Sequence, residues 1–132
     1  MLRKILIYQP PGQEETVGDF IGELEPKIRE KLLWQLVYLS RAHPCELREP
    51  HFKHFSIERY REFYELREKS KVLIRIIFIL RPSGDAVLLH GFFKRQKRDT
   101  NQALEQALRI LADLRERPEY AVEYSMKKEV HQ

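Results

Sequence analysis

The hydrophobic positions change period along the chain, and the changes mark out its elements. Arg3 to Tyr8 is a short β-branched and aromatic run closed by Pro10-Pro11-Gly12, the pattern of a strand and its terminator. Asp19 to Glu25 reads as a short helical turn. Pro26 then opens a longer helix through Ser40, with Ile28, Leu32, Leu33, Leu36, Val37 and Leu39 at helical spacing. Trp34 and Tyr38 widen that apolar side and are read as core packing. Arg41 to Glu58 has no clear period and two prolines, and reads as an irregular connector.

From Tyr64 the period becomes two. Tyr64-Glu65-Leu66-Arg67 alternates, and Val72 to Leu80 is long and largely apolar, so both read as strands. Arg81-Pro82-Ser83-Gly84-Asp85 supplies turn residues, and Ala86 to Lys94 returns as an apolar strand. Val72 to Lys94 is therefore predicted as an antiparallel hairpin, and its continuous apolar character puts it inside a sheet. Asp99 and Thr100 stand as N-caps, with Gln102 three residues after Asp99 as in a capping box. The helix they open runs to about Arg117 on a stripe of Ala103, Leu104, Ala107, Leu108, Leu111 and Leu114. On its outer side Glu105 and Gln106 can each meet Arg109. Pro118 ends it, and the charged segment from Glu119, apolar only at Tyr120, Val122 and Tyr124, is expected to be partly ordered at best.

At 132 residues the chain suffices for one domain that buries roughly two thirds of its unfolded surface, so no disulfide or structural metal is required. Cys45, the only cysteine, cannot form an internal disulfide or a zinc finger and suits a reducing cytosol. The longest apolar run falls far short of the roughly 20 residues that span a bilayer, and Met1 to Tyr8 is too short for a signal peptide. A cytoplasmic protein without membrane contact is expected. His43, His51, His54 and Cys45 match no recognised ligand spacing, so neither metal nor cofactor is expected.

The net charge of +4 hides an asymmetry. Arg48 to Arg98 holds 13 Lys/Arg against 6 Asp/Glu, whereas the other 81 residues carry a net −3. A basic middle in a nearly neutral chain is either a solvated face or a surface for a polyanion, since Lys and Arg neutralise phosphates and release counterions.

The order Tyr64-Glu65-Leu66-Arg67, then Arg75-Ile76-Ile77-Phe78, then Leu88-Leu89-His90-Gly91-Phe92-Phe93-Lys94-Arg95-Gln96-Lys97 ahead of a helix resembles the RelE/HigB toxin superfamily. More narrowly it is similar to the phage-derived HigB-like branch, with its YELR strand, R-x-x-[YF] strand and L-H-G-F-x-K-K stretch. The element order matches over about residues 1–117, with the motifs confined to Tyr64 to Arg98. The resemblance implies an α+β fold of the microbial-ribonuclease kind: a single small antiparallel-rich sheet with N-terminal helices packed on it and a C-terminal helix. One domain would cover 1–117, with 118–132 a charged tail. It further implies the toxin of a type II toxin–antitoxin pair that cleaves messenger RNA without a metal, usually on the ribosome. The partner would be an antitoxin, typically a helix-turn-helix DNA-binding protein.

Such cleavage uses the neighbouring 2′-hydroxyl as nucleophile, so it needs a base there, an acid near the leaving 5′-oxygen and cations around the phosphate. By the resemblance, Arg75 and Arg67 are phosphate clamps. Arg75 is conspicuous in its own right, because it interrupts an apolar strand where an unpaired guanidinium would be costly, and it needs an anion. Glu65 shares a strand face with Arg67 and either pairs with Arg75 across the sheet or acts as the base. His90 and Lys94 share a face with Phe92 and are the candidates for the acid; alternatively His90 is a hydrogen-bonded core residue. Lys94, Arg95, Lys97 and Arg98 would contact RNA or serve only as solubilising charge.

The pattern also departs from the family. Thr100-Asn101 stands where Thr-Pro is frequent, a change that a threonine cap tolerates. Lysine and arginine follow the last strand where several relatives carry a tyrosine or histidine, which permits a slow or inactive nuclease. Two further readings stand beside the nuclease: a non-catalytic module that holds RNA or the antitoxin, and a metal-dependent enzyme built on His43, His51 and His54.

Overall fold

Apolar residues alternate between the two faces of the central strands, and each face collects its own helices. In the computed structural model, which describes residues 2–125, the strands are β1 (Ile5–Tyr8), β2 (Phe52–His54), β3 (Phe63–Lys69), β4 (Leu73–Leu80), β5 (Ala86–Phe93) and β6 (Ala121–Glu123). They form one mixed sheet in the order β2-β3-β4-β5-β1-β6. Only β1 and β5 run parallel; the other neighbours are antiparallel. The expected hairpin is β4–β5 at the centre of the sheet, its loop closed by Gly84 at φ 94°, a conformation that favours glycine.

Helices α1 (Val17–Gly22) and α2 (Pro26–Arg41) cover one face, and α3 (Lys97–Glu116) covers the other. Ile5, Ile7, Leu66, Ile74, Ile76, Phe78 and Leu88 pack beneath α1 and α2 against Ile21, Leu32, Leu33, Leu36 and Leu39. Leu6, Phe63, Ile77, Val87 and Leu89 meet Ala103, Leu104, Ala107, Ile110, Leu111 and Leu114 of α3. This is the α+β arrangement expected of the chain.

Several local expectations need correction. The first helix starts at Val17 rather than Asp19, because Thr16 is its cap: the Thr16 N–H donates to Asp19 Oδ2 at 3.2 Å and Thr16 Oγ1 accepts from the Asp19 N–H. Trp34 is half exposed, on the flank of the buried stripe, not in the core. The connector 41–58 is not irregular throughout. It holds 3-10 turns at Pro44–Glu46 and Glu58–Tyr60 and the strand β2, whose three residues are too few to show a period. Helix α3 begins at Lys97 with Gln96 as its cap, and Asp99 acts from the third helical position, accepting the N–H groups of Arg95 and Gln96 at 2.8 and 3.0 Å. Those two bonds lower the Asp99 pKa. On α3, Gln106 meets Arg109, but Glu105 turns instead to Arg59 and Tyr60. Residues 118–123 form a 3-10 turn and the edge strand β6, and Tyr124 N–H still donates to the Ile5 carbonyl; of the expected tail, 126–132 lies outside the described residues.

One irregularity redirects the end of β5. Phe78 faces Leu88, but Ile77 faces His90, so Leu89 is an extra residue in the ladder. Leu89 and His90 therefore both point to the α3 face, Phe92 follows His90, and Gly91 and Phe93 turn toward α1. Phe20 of α1 fills the space above Gly91 and packs tilted against Phe93, with 5.1 Å between ring centroids. A Cβ at position 91 would lie 2.3 Å from Phe20 Cδ2. Gly91→Ala is expected to lower unfolding stability in urea by roughly 1–3 kcal/mol through overpacking, and Phe20→Ala in the same chain should remove most of the added penalty.

Candidate active site

Two cross-strand rows on the α3 face carry the polar residues. In the first, Lys53, Glu65, Ile77 and His90 stand opposite one another across β2, β3, β4 and β5; in the second, Arg67, Arg75 and Phe92 do. Directly opposed arginines repel. Glu65, 1% exposed, joins them: its Oε1 lies 2.9 Å from Arg67 Nε and 3.6 Å from Arg75 Nε. The outer side of Arg67 is held by Glu49, whose Oε1 accepts from Nη1 at 2.9 Å. Arg75, 8% exposed, also donates through Nη1 to the Ile74 carbonyl at 3.2 Å.

Hydrogen bonding inside this cluster is incomplete. Among the described residues, Glu65 Oε2 accepts no hydrogen bond and Arg75 Nε donates none. Burial lowers the Arg75 pKa, Glu65 opposes that shift and Arg67 adds to it. The guanidinium stays cationic, since arginine titrates far above neutrality. The buried Glu65 carboxylate is thus shared by the two arginines, and the second carboxylate on Arg67 is the exposed Glu49, a contact open to exchange with another anion.

His90 lies two strands from Glu65 in the same row, about 10 Å between backbones at the usual strand spacing. Its ring stacks near-parallel to that of Phe92, with centroids 6.1 Å apart. Burial, helped by Arg109, lowers its pKa, so the imidazole is neutral at physiological pH. Beyond it, Lys94 follows the strand, Arg95 lies 6.0 Å over the Phe93 ring, and Lys97 and Arg98 are exposed in the first turn of α3.

The structure thus brings together Glu65, Arg67 and Arg75 in one ion cluster, and sets His90 and the basic run Lys94 to Arg98 beside it along β5 and into α3. Sequence reasoning missed Glu49 and Lys53, and placed Gln106 and Arg109 on the outer side of α3 without linking them to His90, with which they line one cleft. The bond that joins β2 to the cluster, Arg67 N–H to the His51 carbonyl at 2.7 Å, left no trace in the pattern because the partner is backbone. The candidate metal ligands are not brought together. His43 caps the turn at Pro44, His51 sits 3.1 Å from Gln35, and His54 stacks on Tyr64. Among the described residues no group of three or more His, Cys, Asp or Glu could hold a metal ion.

A family model described as phage derived protein Gp49-like (DUF891) matches residues 19–112, a span that includes every residue of the cluster and the basic run. The chain belongs to the Gp49-like family. That family is toxin-like, of the RelE/HigB type, and membership is consistent with the toxin role in a toxin–antitoxin pair. It suggests an antitoxin as the partner of this Gp49-like chain. No curated protein matches the chain. No helix among the described residues is long and apolar enough to cross a membrane.

Removing one partner of a buried charge cluster leaves the others uncompensated. Glu65→Ala is therefore expected to cost about 3–5 kcal/mol in urea unfolding. Arg75→Met should cost clearly less, because it removes a buried charge and leaves Glu65 paired with Arg67. The reverse order of the two losses would contradict the cluster as described.

Proposed function

We propose that this Gp49-like chain, of the HigB-like branch, is the toxin of a type II pair and a metal-independent endoribonuclease that cuts messenger RNA, with translated message on the ribosome as its substrate. The observation that carries this reading is the arginine pair held by one buried carboxylate on the α3 face, beside a neutral histidine and a basic run. A partner antitoxin of the helix-turn-helix type would neutralise it.

In this reading the 2′-oxygen attacks the adjacent phosphorus and the bond to the 5′-oxygen breaks, giving a 2′,3′-cyclic phosphate and a 5′-hydroxyl. Arg67 and Arg75 take the non-bridging oxygens, whose charge grows in the transition state. The phosphate displaces Glu49, the more exposed of the two carboxylates on Arg67. Glu65 is a positioning residue: its free oxygen is sealed from solvent and cannot reach a substrate hydroxyl, while its other oxygen fixes both guanidiniums. His90, neutral before reaction, accepts the 2′-hydroxyl proton. Lys94 supplies the proton for the leaving oxygen, and Arg95, Lys97 and Arg98 guide the strand.

The deciding experiment maps 5′ ends on a reporter message in a reconstituted translation reaction, using protein dialysed against EDTA and magnesium restored for the ribosomes. New translation-dependent cuts are expected, and Arg75→Ala should lower the cutting rate by about 100-fold or more. A general base must be unprotonated, so kcat/KM should fall as pH drops through an inflection below the ordinary histidine value, and His90→Gln should abolish that inflection. Folded protein that binds RNA and makes no cuts would favour a non-catalytic binding module instead.

A further inference from the structure

Beside the arginine pair, the end of β5 and the outer side of α3 border an open cleft of about 350 Å³. Asp99, Gln102, Gln106 and Arg109 follow one another at helical spacing along its α3 wall, and His90 and Phe92 form its sheet wall. Phe92 is the register partner of Arg75, so the cleft opens one strand away from the cluster that would hold the phosphate. All six side chains are at least partly exposed.

The hydrogen bonds already made in the cleft decide what it offers. Arg109 donates through Nε and Nη2 to Gln106 Oε1 at 3.1 and 2.5 Å. Both bonds hold the Gln106 amide in one orientation, because the flipped amide would set donor against donor. The oxygen is consumed, so the pair presents only donors: the Gln106 amide N–H groups and the remaining guanidinium N–H groups of Arg109. The same cleft is bordered by the near-parallel rings of His90 and Phe92. Stacking rings beside the donors of Gln106 and Arg109, with the acceptors of Asp99 and Gln102 nearer the start of the same helix and a phosphate clamp adjacent, are the parts of a nucleobase pocket. Guanine presents two adjacent acceptors, O6 and N7, on one edge, whereas adenine pairs its N7 with an amino donor.

We propose that this cleft is a base subsite selective for guanine, in which the ring lies on Phe92 and its O6 and N7 accept from Gln106 and Arg109. The guanine belongs to the nucleotide whose 2′-hydroxyl meets His90, immediately before the cut. The subsite presupposes the ribonuclease reading, and it gives that reading a nucleotide preference.

Fluorescence anisotropy with uncleavable 2′-fluoro pentanucleotides tests it, each carrying one variable base in a uridine background. The guanine oligonucleotide is expected to bind about tenfold or more tightly than those carrying adenine, cytosine or only uridine. Replacing guanine with 7-deazaguanine, which lacks the N7 acceptor, should remove most of that advantage. Gln106→Ala and, independently, Arg109→Ala should level the four affinities. No preference for guanine, or a preference that survives both variants, would overturn the subsite and leave the ribonuclease reading standing. Failure of the wild-type protein to bind any of the oligonucleotides would overturn both.

Discussion

One buried carboxylate governs the arrangement of charge in this fold. Glu65 sits in the interior of a sheet whose other inward residues are almost all apolar, and two arginines from adjacent strands converge on its single available oxygen. Without it, Arg67 and Arg75 would face each other across the ladder with no anion between them. With it they are fixed side by side, and Glu49 compensates the outer side of Arg67. A cationic pair fixed in this way differs from surface lysines and arginines, which lose rotamer freedom when they bind an anion. Here that cost is met on folding, which is why a rigid, partly neutralised pair suits a phosphate better than a mobile cluster of the same charge.

The backbone around that carboxylate is arranged to bring other groups to the same face. The extra residue at Leu89 turns His90 and Phe92 toward α3, and Gly91 turns the other way into contact with Phe20. A regular β5 would have continued the alternation of Val87 and Leu89 and sent both rings to the α1 side. The chain then reverses through the basic run into α3, so that the polar side of the helix passes the two rings. Capping by Asp99 fixes where the reversal ends and thus which helical residues stand level with His90.

How much of this was readable in the sequence depends on the length of the signal. The long apolar runs of β4 and β5 and the stripe of α3 identified themselves, and Arg75 stood out because a cation inside such a run demands an anion. Glu65 was visible through its spacing from Arg67, and its pairing with Arg75 was one of two readings open to it, but that one oxygen serves both arginines depends on register. The face occupied by His90 was not readable, because a bulge reverses alternation without changing composition. Three-residue strands such as β2 and β6 carry too few positions to show a period, and Glu49 reaches Arg67 from a connector with no pattern at all. The Gln106–Arg109 pair was foreseen from helical spacing, but only the structure puts it opposite His90.

The decisive question is whether the Glu65-held arginines receive the phosphate. Their Nε–H resonances can be followed by ¹H–¹⁵N correlation while a 2′-fluoro RNA oligonucleotide is added to the intact protein. Saturable shifts at Arg67 and Arg75 that track the binding curve are expected. Saturation with Arg95 and Arg98 shifted and the Arg67 and Arg75 signals unmoved would show that RNA is held by surface charge alone, and would contradict a phosphate clamp at this pair.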